Sequence, residues 1–304
     1  RYPDMGVVAL KQKLSARLGV ATERIATGCG SVALLEHLVK AACSEGDEIV
    51  YSWRSFEAYP IVAATAGATS VRMPNRTDHG HDLPAMAAAV GPRTRVVLVC
   101  NPNNPTGTAL PLERVQALLE RVPSHVCVIL DEAYVEFSLT VGDPFASLPL
   151  LRRHPNLVLL RTFSKVYGLA ALRVGYALCG SESFRVAVDQ VRQPFYLTGA
   201  AQAAAVEALK YQDEVERRVV ATVAARTAVT EALRARGYWV ADSDANFVWV
   251  RLAEDGEDGP LVDALGERGV VVRAGTALGG PGCARVTLGT PAENERLLAA
   301  LAEL

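Results

Sequence analysis

The chain has 304 residues, half of them hydrophobic, enough to bury a substantial core as one large or two unequal domains. Lys plus Arg number 31 against 33 Asp plus Glu, so the formal charge of −2 gives no electrostatic reason to expect nucleic acid as a partner and suits a small polar metabolite. No run of about 18 apolar residues is present to span a membrane, nothing near Arg1 resembles a signal peptide, and the opening reads as mid-structure, so an upstream segment is expected to be missing.

In chain order, β-rich runs at 48–52, 69–74, 95–100, 126–132, 157–162 and 173–179 alternate with amphipathic stretches at 31–44, 55–66, 111–121 and 182–192. Strands apolar throughout and separated by helices predict a parallel or mostly parallel sheet covered on both faces, an α/β fold. From 199 to 236 the pattern becomes a long helical region without a strand. Strand candidates at 246–252, 270–274 and 284–289 follow, with helices near 260–268 and from about 291. This second pattern predicts a smaller α+β domain over 209–304, joined by a long helix near 211–236 to a large domain over 1–208. No internal repeat is evident. The cysteines (Cys29, Cys43, Cys100, Cys127, Cys179 and Cys283) form no C-x-x-C pair. Most lie in apolar runs and read as buried free thiols of a reducing cytoplasm.

In an open α/β sheet the ligand lies beyond the carboxyl ends of the strands, and four segments there carry suitable chemistry. "CNPNNPTG" (100–107) forces a non-helical loop bearing three asparagines, though an ordinary Asn-Pro turn would read the same way. Asp131 leaves a run of Val, Ile and Leu, where a carboxylate needs a partner or serves as a helix N-cap. Lys165, between Phe163 and Tyr167, is expected to be partly desolvated, with a pKa lowered toward that of a useful nucleophile. A lone lysine is more often a solvated surface group. "ATGCGSVALLEHL" (26–38) places glycines at a helix start, an anion site through free N–H groups and the helix dipole; G-x-G-x-x-G is not completed, so a dinucleotide is not expected. Together, a phosphate cradle, a buried acid, ring-binding polar groups and an activated lysine are what pyridoxal phosphate requires.

With these motifs and "RYPD" (1–4), "DEAYVEF" (131–137), "RTFSK" (161–165), "GLAALRVGY" (168–176), "ANFVWVR" (245–251) and "RVTLGTPAEN" (285–294), the whole chain resembles fold-type I aminotransferases of the histidinol-phosphate aminotransferase family. "GCGSV" (28–32) and "WRSFEAYP" (53–60) look closer to its actinobacterial aromatic, or phenylalanine, aminotransferase branch. The resemblance implies that Lys165 binds pyridoxal phosphate as a Schiff base and later carries the proton between substrate and cofactor. It implies that Asp131 pairs with the pyridine nitrogen, that Asn104 and Tyr134 hydrogen-bond the phenolic oxygen, and that Phe56 stacks on the ring. Ser31, Val32, Thr162, Ser164 and Arg173 would hold the phosphate, Tyr2 would reach the cofactor phosphate of the other subunit of a homodimer, and Arg285, with Arg273 assisting, would bind the substrate's acidic group.

Two departures stand out. Family members commonly carry an acidic pair where this chain has Val32 and Ala33, and the family's N-terminal arm motif is absent. The expected function is exchange of an amino group between an aromatic amino acid and a 2-oxo acid such as 2-oxoglutarate. L-histidinol phosphate is the alternative donor; a decarboxylase and a non-catalytic cofactor-binding regulator are the remaining alternatives. No metal is expected: His79-Gly80-His81 reads as a solvated loop. Asp255, Glu257 and Asp258 read as an exposed turn, and Trp53 and Trp249 as core or site wall.

Overall fold

The computed structural model describes residues 1–253 and 256–304. The first part of the chain runs α1 (Val8–Leu18), β1 (Ile25–Gly28), α2 (Gly30–Ala42), β2 (Glu48–Trp53), α3 (Ala58–Thr65), β3 (Thr69–Pro74), α4 (Leu83–Ala88) and β4 (Thr94–Cys100). It continues through α5 (Leu112–Arg121), β5 (Cys127–Asp131), α6 (Leu150–Arg153), β6 (Leu157–Thr162), β7 (Gly175–Cys179), α7 (Glu182–Val191), α8 (Gly199–Ala208) and α9 (Gln212–Ala235). Then come β8 (Phe247–Arg251), α10 (Gly259–Glu267), β9 (Arg273–Ala274), β10 (Cys283–Thr287) and α11 (Pro291–Ala302).

Strands β1 to β7 form one sheet in the order β1-β7-β6-β5-β4-β2-β3. Neighbours from β6 to β3 pair parallel, whereas β7 runs antiparallel to both β1 and β6. The central strands are apolar on both sides because both faces are covered. Val97, Val99, Val128, Leu130, Leu157 and Leu159 enter one core, and Val96, Leu98, Ile129, Val158 and Leu160 enter the other. The expected α/β fold with a mostly parallel sheet is the observed one.

A second, antiparallel sheet of order β8-β10-β9 packs Val248, Val250, Ala284 and Val286 against Val229 and Leu233 of α9 and Leu297 and Leu301 of α11. Alternation turns Phe247 and Trp249 the other way, and Arg285, in register with Trp249, lies over the Phe247 ring at 5.3 Å. A capping box starts α11: Thr290 N donates to the Glu293 carboxylate at 2.7 Å, and Glu293 N donates back to the Thr290 hydroxyl.

Three local expectations change. Strand β1 lies in a stretch read as a helix start; its four residues are all buried, so no alternation marks them. The helical region after 199 is two helices, and Thr198 caps the first by accepting from Ala201 N at 3.2 Å. Of the run 270–274 only Arg273–Ala274 pairs as a strand; Val271 is 92% exposed, so its apolar neighbours mimic a strand without burying one. Among the described residues, no helix is long and apolar enough to cross a membrane.

Candidate active site

The ends of β2, β4, β5 and β6 and the start of β7 meet at one edge of the large sheet, because β7 alone runs against its neighbours. Each delivers side chains to a single cavity of about 290 Å³. Its lining includes Phe56 after β2, Asn104 after β4, Asp131 at the end of β5, Tyr134 beyond it, Thr162, Ser164 and Lys165 at and after β6, and Arg173 before β7. Ser31 and Val32 of α2 and Arg285 of β10 close it. Eleven sequence-expected residues are thus brought together. Arg273 is not: it is exposed on β9 opposite Arg285, while Tyr2, expected at the other subunit's cofactor, is 81% exposed and stacks on Phe195 at 4.5 Å.

At one end, α2 begins at Gly30 with no side-chain cap, so the backbone N–H groups of its first turn are open. Gly30 has φ +80°, and a Cβ there would collide with the Arg173 guanidinium. Gly175 similarly lets β7 approach the backbone of Gly30 and Ser31, where a Cβ would come within 2.6 Å of Ser31 N. Arg173, itself at φ 52°, donates to Ala170 O at 2.9 Å and to Ser164 Oγ at 3.4 Å. Open N–H groups, hydroxyls and a guanidinium make this end a site for an anion.

On the cavity floor Asp131 is 5% exposed and accepts from Tyr59 Oη at 3.1 Å and Ala133 N at 3.2 Å. Burial pushes its carboxyl up to about 6, against the pull of those donors and of Lys165. A buried carboxylate that forms no ion pair calls for a positive partner. Lys165 Nζ sits 5.0 Å from the centre of the Tyr134 ring. Its pKa is lowered, first by burial and then by the charge of Arg285, as the flanking aromatic residues suggested. At the mouth, Arg285 Nη1 donates to Asn104 Oδ1 at 2.6 Å, which ties the small sheet to the asparagine loop. The other two asparagines shape that loop: Asn101 exchanges bonds of 2.9 and 2.8 Å with Leu110, and Asn103 donates to Arg54 O and the Thr106 hydroxyl.

A sequence profile of the family "Aminotransferase class I and II" matches residues 1–301. The chain belongs to this aminotransferase family. Among its relatives is an aromatic amino acid aminotransferase of Rhodococcus jostii, 49% identical over 299 residues that cover 98% of this chain and 81% of that protein. Another of the same name, from Corynebacterium glutamicum, is 46% identical over 300 residues, 99% of this chain and 84% of that protein. The crystal structure of histidinol-phosphate aminotransferase from Sinorhizobium meliloti in complex with pyridoxal-5'-phosphate superposes with a TM-score of 0.90 at 32% identity, over 100% of this chain and 82% of that one.

In this aminotransferase the sequence motifs left some supporting residues unmarked. Tyr59 follows Phe56 by one helical turn and holds Asp131; only that spacing hints at it. Arg161, within "RTFSK", is 2% exposed and bonds Glu132 at 2.8 and 2.9 Å, locking the ends of β5 and β6 together. Glu57 also lines the cavity. Two expected surface features are buried instead. His81 is 2% exposed, and its imidazole is held neutral by burial, with a pKa of about 4. His79 is half-buried against Trp239 at 4.7 Å. Asp258 is 1% exposed and accepts from Thr276 N and Gly282 N, both at 3.0 Å, so it clamps a turn that its glycine neighbours made look solvated. Glu257 is exposed as expected, and Asp255 lies outside the described residues.

Proposed function

We propose that this aminotransferase uses pyridoxal phosphate to move an amino group between an aromatic amino acid and a 2-oxo acid such as 2-oxoglutarate. The observation that carries the reading is the convergence of Lys165, Asp131 and Arg285 on one cavity with an anion cradle at its far end. The residues fit the cofactor: the cradle suits a phosphate, and the buried carboxylate, which forms no ion pair among the described residues, suits a protonated ring nitrogen. When bound, the cofactor supplies an electron sink for the charge left when the substrate Cα loses its proton.

The protein's own groups then have distinct tasks. Ser31, Val32, Thr162, Ser164 and Arg173 would hold the phosphate, and Phe56 would lie against the ring. Asp131 keeps the ring nitrogen protonated, which strengthens the sink, and Tyr59 keeps Asp131 in place. Asn104 and Tyr134 serve the phenolic oxygen. Lys165, with its lowered pKa, is a free amine at neutral pH more often than an ordinary lysine, so it would accept and carry the proton that leaves the substrate Cα. Arg285, oriented by Asn104, receives the substrate carboxylate.

The names of the actinobacterial relatives support the aromatic donor. The second reading, L-histidinol phosphate as donor, is favoured by the Sinorhizobium structure and by Arg273 standing opposite Arg285. We further propose two domains meeting near residue 208, one per sheet, and a cytoplasmic homodimer. The exposed Tyr2, Met5, Val8 and Phe195, an apolar surface of the kind a second subunit covers, support the dimer.

Turnover of phenylalanine against histidinol phosphate, with 2-oxoglutarate as acceptor, tests the donor; a large preference for histidinol phosphate defeats the first choice. The reaction itself is tested by Lys165→Ala, which should lower turnover by several powers of ten because the proton carrier is lost. Wild-type turnover surviving in that variant would refute the assignment.

A further inference from the structure

The cavity wall carries one charge that the mechanism above leaves unused. Glu57 follows Phe56 and stands at the N-cap position of α3, yet its carboxylate makes no capping hydrogen bond. Its Oε2 is buried and accepts no hydrogen bond from the protein. The side chain lines the cavity together with Phe56, Tyr134, Lys165 and Arg285, and its charge acts on both Tyr134 and Lys165. Arg54, three residues earlier, is close enough for Glu57 to act on it but donates no hydrogen bond to that oxygen. The Arg54 guanidinium lies over the Trp53 ring at 3.5 Å and against Gly279, with Nε and Nη1 themselves buried and without hydrogen-bond partners.

A buried carboxylate oxygen without a donor is unfavourable, and a ligand that brings a donor to it gains what the free protein lacks. A ligand that brings a second negative charge meets repulsion in a low-dielectric wall. Arg285 and Asn104 take the carboxylate end of the substrate, so its side chain is what remains to meet the rest of the wall.

We propose that Glu57 is a specificity-determining residue that favours substrate side chains carrying a ring O–H or N–H, as in tyrosine, tryptophan and histidine, and disfavours side chains carrying a second anion. The proposal rests on the aromatic-donor reading above and refines it to donor-bearing rings.

The test compares wild-type, Glu57→Gln and Glu57→Leu holoenzymes, with cofactor absorbance confirming equal loading. kcat/KM is measured for tyrosine, phenylalanine, aspartate and histidinol phosphate at fixed 2-oxoglutarate, together with KM for 2-oxoglutarate. Wild type should prefer tyrosine to phenylalanine. Glu57→Leu should shrink that ratio by about tenfold, the order of one hydrogen bond to a charged acceptor. Glu57→Gln should raise kcat/KM for aspartate and lower KM for 2-oxoglutarate, gains that damage to the fold cannot produce. Failure of either shift, in a wild-type enzyme that does use phenylalanine or tyrosine, overturns the proposal and leaves the aromatic reading standing. A wild-type enzyme that strongly prefers histidinol phosphate overturns the aromatic reading on which the proposal rests; the phosphate of that substrate stands where an amino acid carries its carboxylate, at Arg285, so this outcome is told apart from a failure of the Glu57 shifts.

Discussion

Asp131→Asn should make the cofactor-free protein more stable while making the enzyme nearly inactive. Burial raises the Asp131 carboxyl from its ordinary 3.8 to about 6, and the group is only 5% exposed. That interval corresponds to about 3 kcal/mol. For an acid whose folded pKa is raised, the unfolded chain binds fewer protons between the two values, so stability falls as pH climbs from about 4 to about 6 and stays low above. At pH 8 the ionised group therefore costs the apoprotein about 3 kcal/mol, which a neutral asparagine removes. Asparagine offers one acceptor oxygen to Tyr59 Oη and Ala133 N, so one of those bonds is weakened at about 1 kcal/mol. The net expectation is a gain of roughly 2 kcal/mol at pH 8 that turns into a loss of about 1 kcal/mol below pH 4, where the wild-type carboxyl is protonated and only the weakened bond remains. Denaturant unfolding of wild-type and variant apoproteins at both pH values measures it. Turnover of the variant holoenzyme should fall at least about a hundredfold, as for loss of one preorganised electrostatic partner. A variant apoprotein less stable than wild type at pH 8 would show that Asp131 is not an uncompensated buried charge, and the assignment to the ring nitrogen would lose its physical basis.

Gly30→Ala combines a positive φ with a collision against Arg173; cofactor affinity, read by fluorescence titration, should weaken by about tenfold, since the strain is on the order of 1–2 kcal/mol. Arg226 is 4% exposed and donates to Phe137 O at 2.9 Å and Ala245 O at 3.0 Å, bolting α9 to the loops after β5 and before β8. Arg226→Leu should cost on the order of 2–4 kcal/mol in denaturant unfolding, because two carbonyls lose their donor; a change below 0.5 kcal/mol would refute that account. In the cofactor-free protein, labelling of Lys165 by an amine reagent, followed by mass spectrometry against pH, should reach half-maximum below the ordinary lysine value of 10.5. The midpoint should move upward in Arg285→Gln, which removes a repelling charge, and downward in Asp131→Asn, which removes an attracting one; identical midpoints in all three proteins would refute the electrostatic account.

Much of the site was legible because chemistry gathers at strand ends. Once 95–100, 126–132 and 157–162 are read as buried parallel strands, Asn104, Asp131 and Lys165 fall at neighbouring carboxyl ends, as β4, β5 and β6 place them. Arg285 is different: it sits 120 residues beyond Lys165 in a second sheet, and only the resemblance to known aminotransferases linked the two. Strand β1 has no signature in the sequence because four buried residues carry no period, and the burial of Asp258 and His81 has none because polar, glycine-rich sequence looks the same whether solvated or folded inward.

The sequence by itself determined the α/β class and the expectation of a partly desolvated lysine and a buried acid, since these follow from periodicity along the chain and from residue types at the ends of apolar runs. Only the tertiary structure decided which charges lie within reach of one another. It set Tyr59 on Asp131 and Arg285 on Asn104, left Glu57 Oε2 without a donor in the wall, and placed Arg273 outside the cavity. The reason is physical: a pKa or a hydrogen bond depends on distance and desolvation in space, and the chain order of residues carries neither.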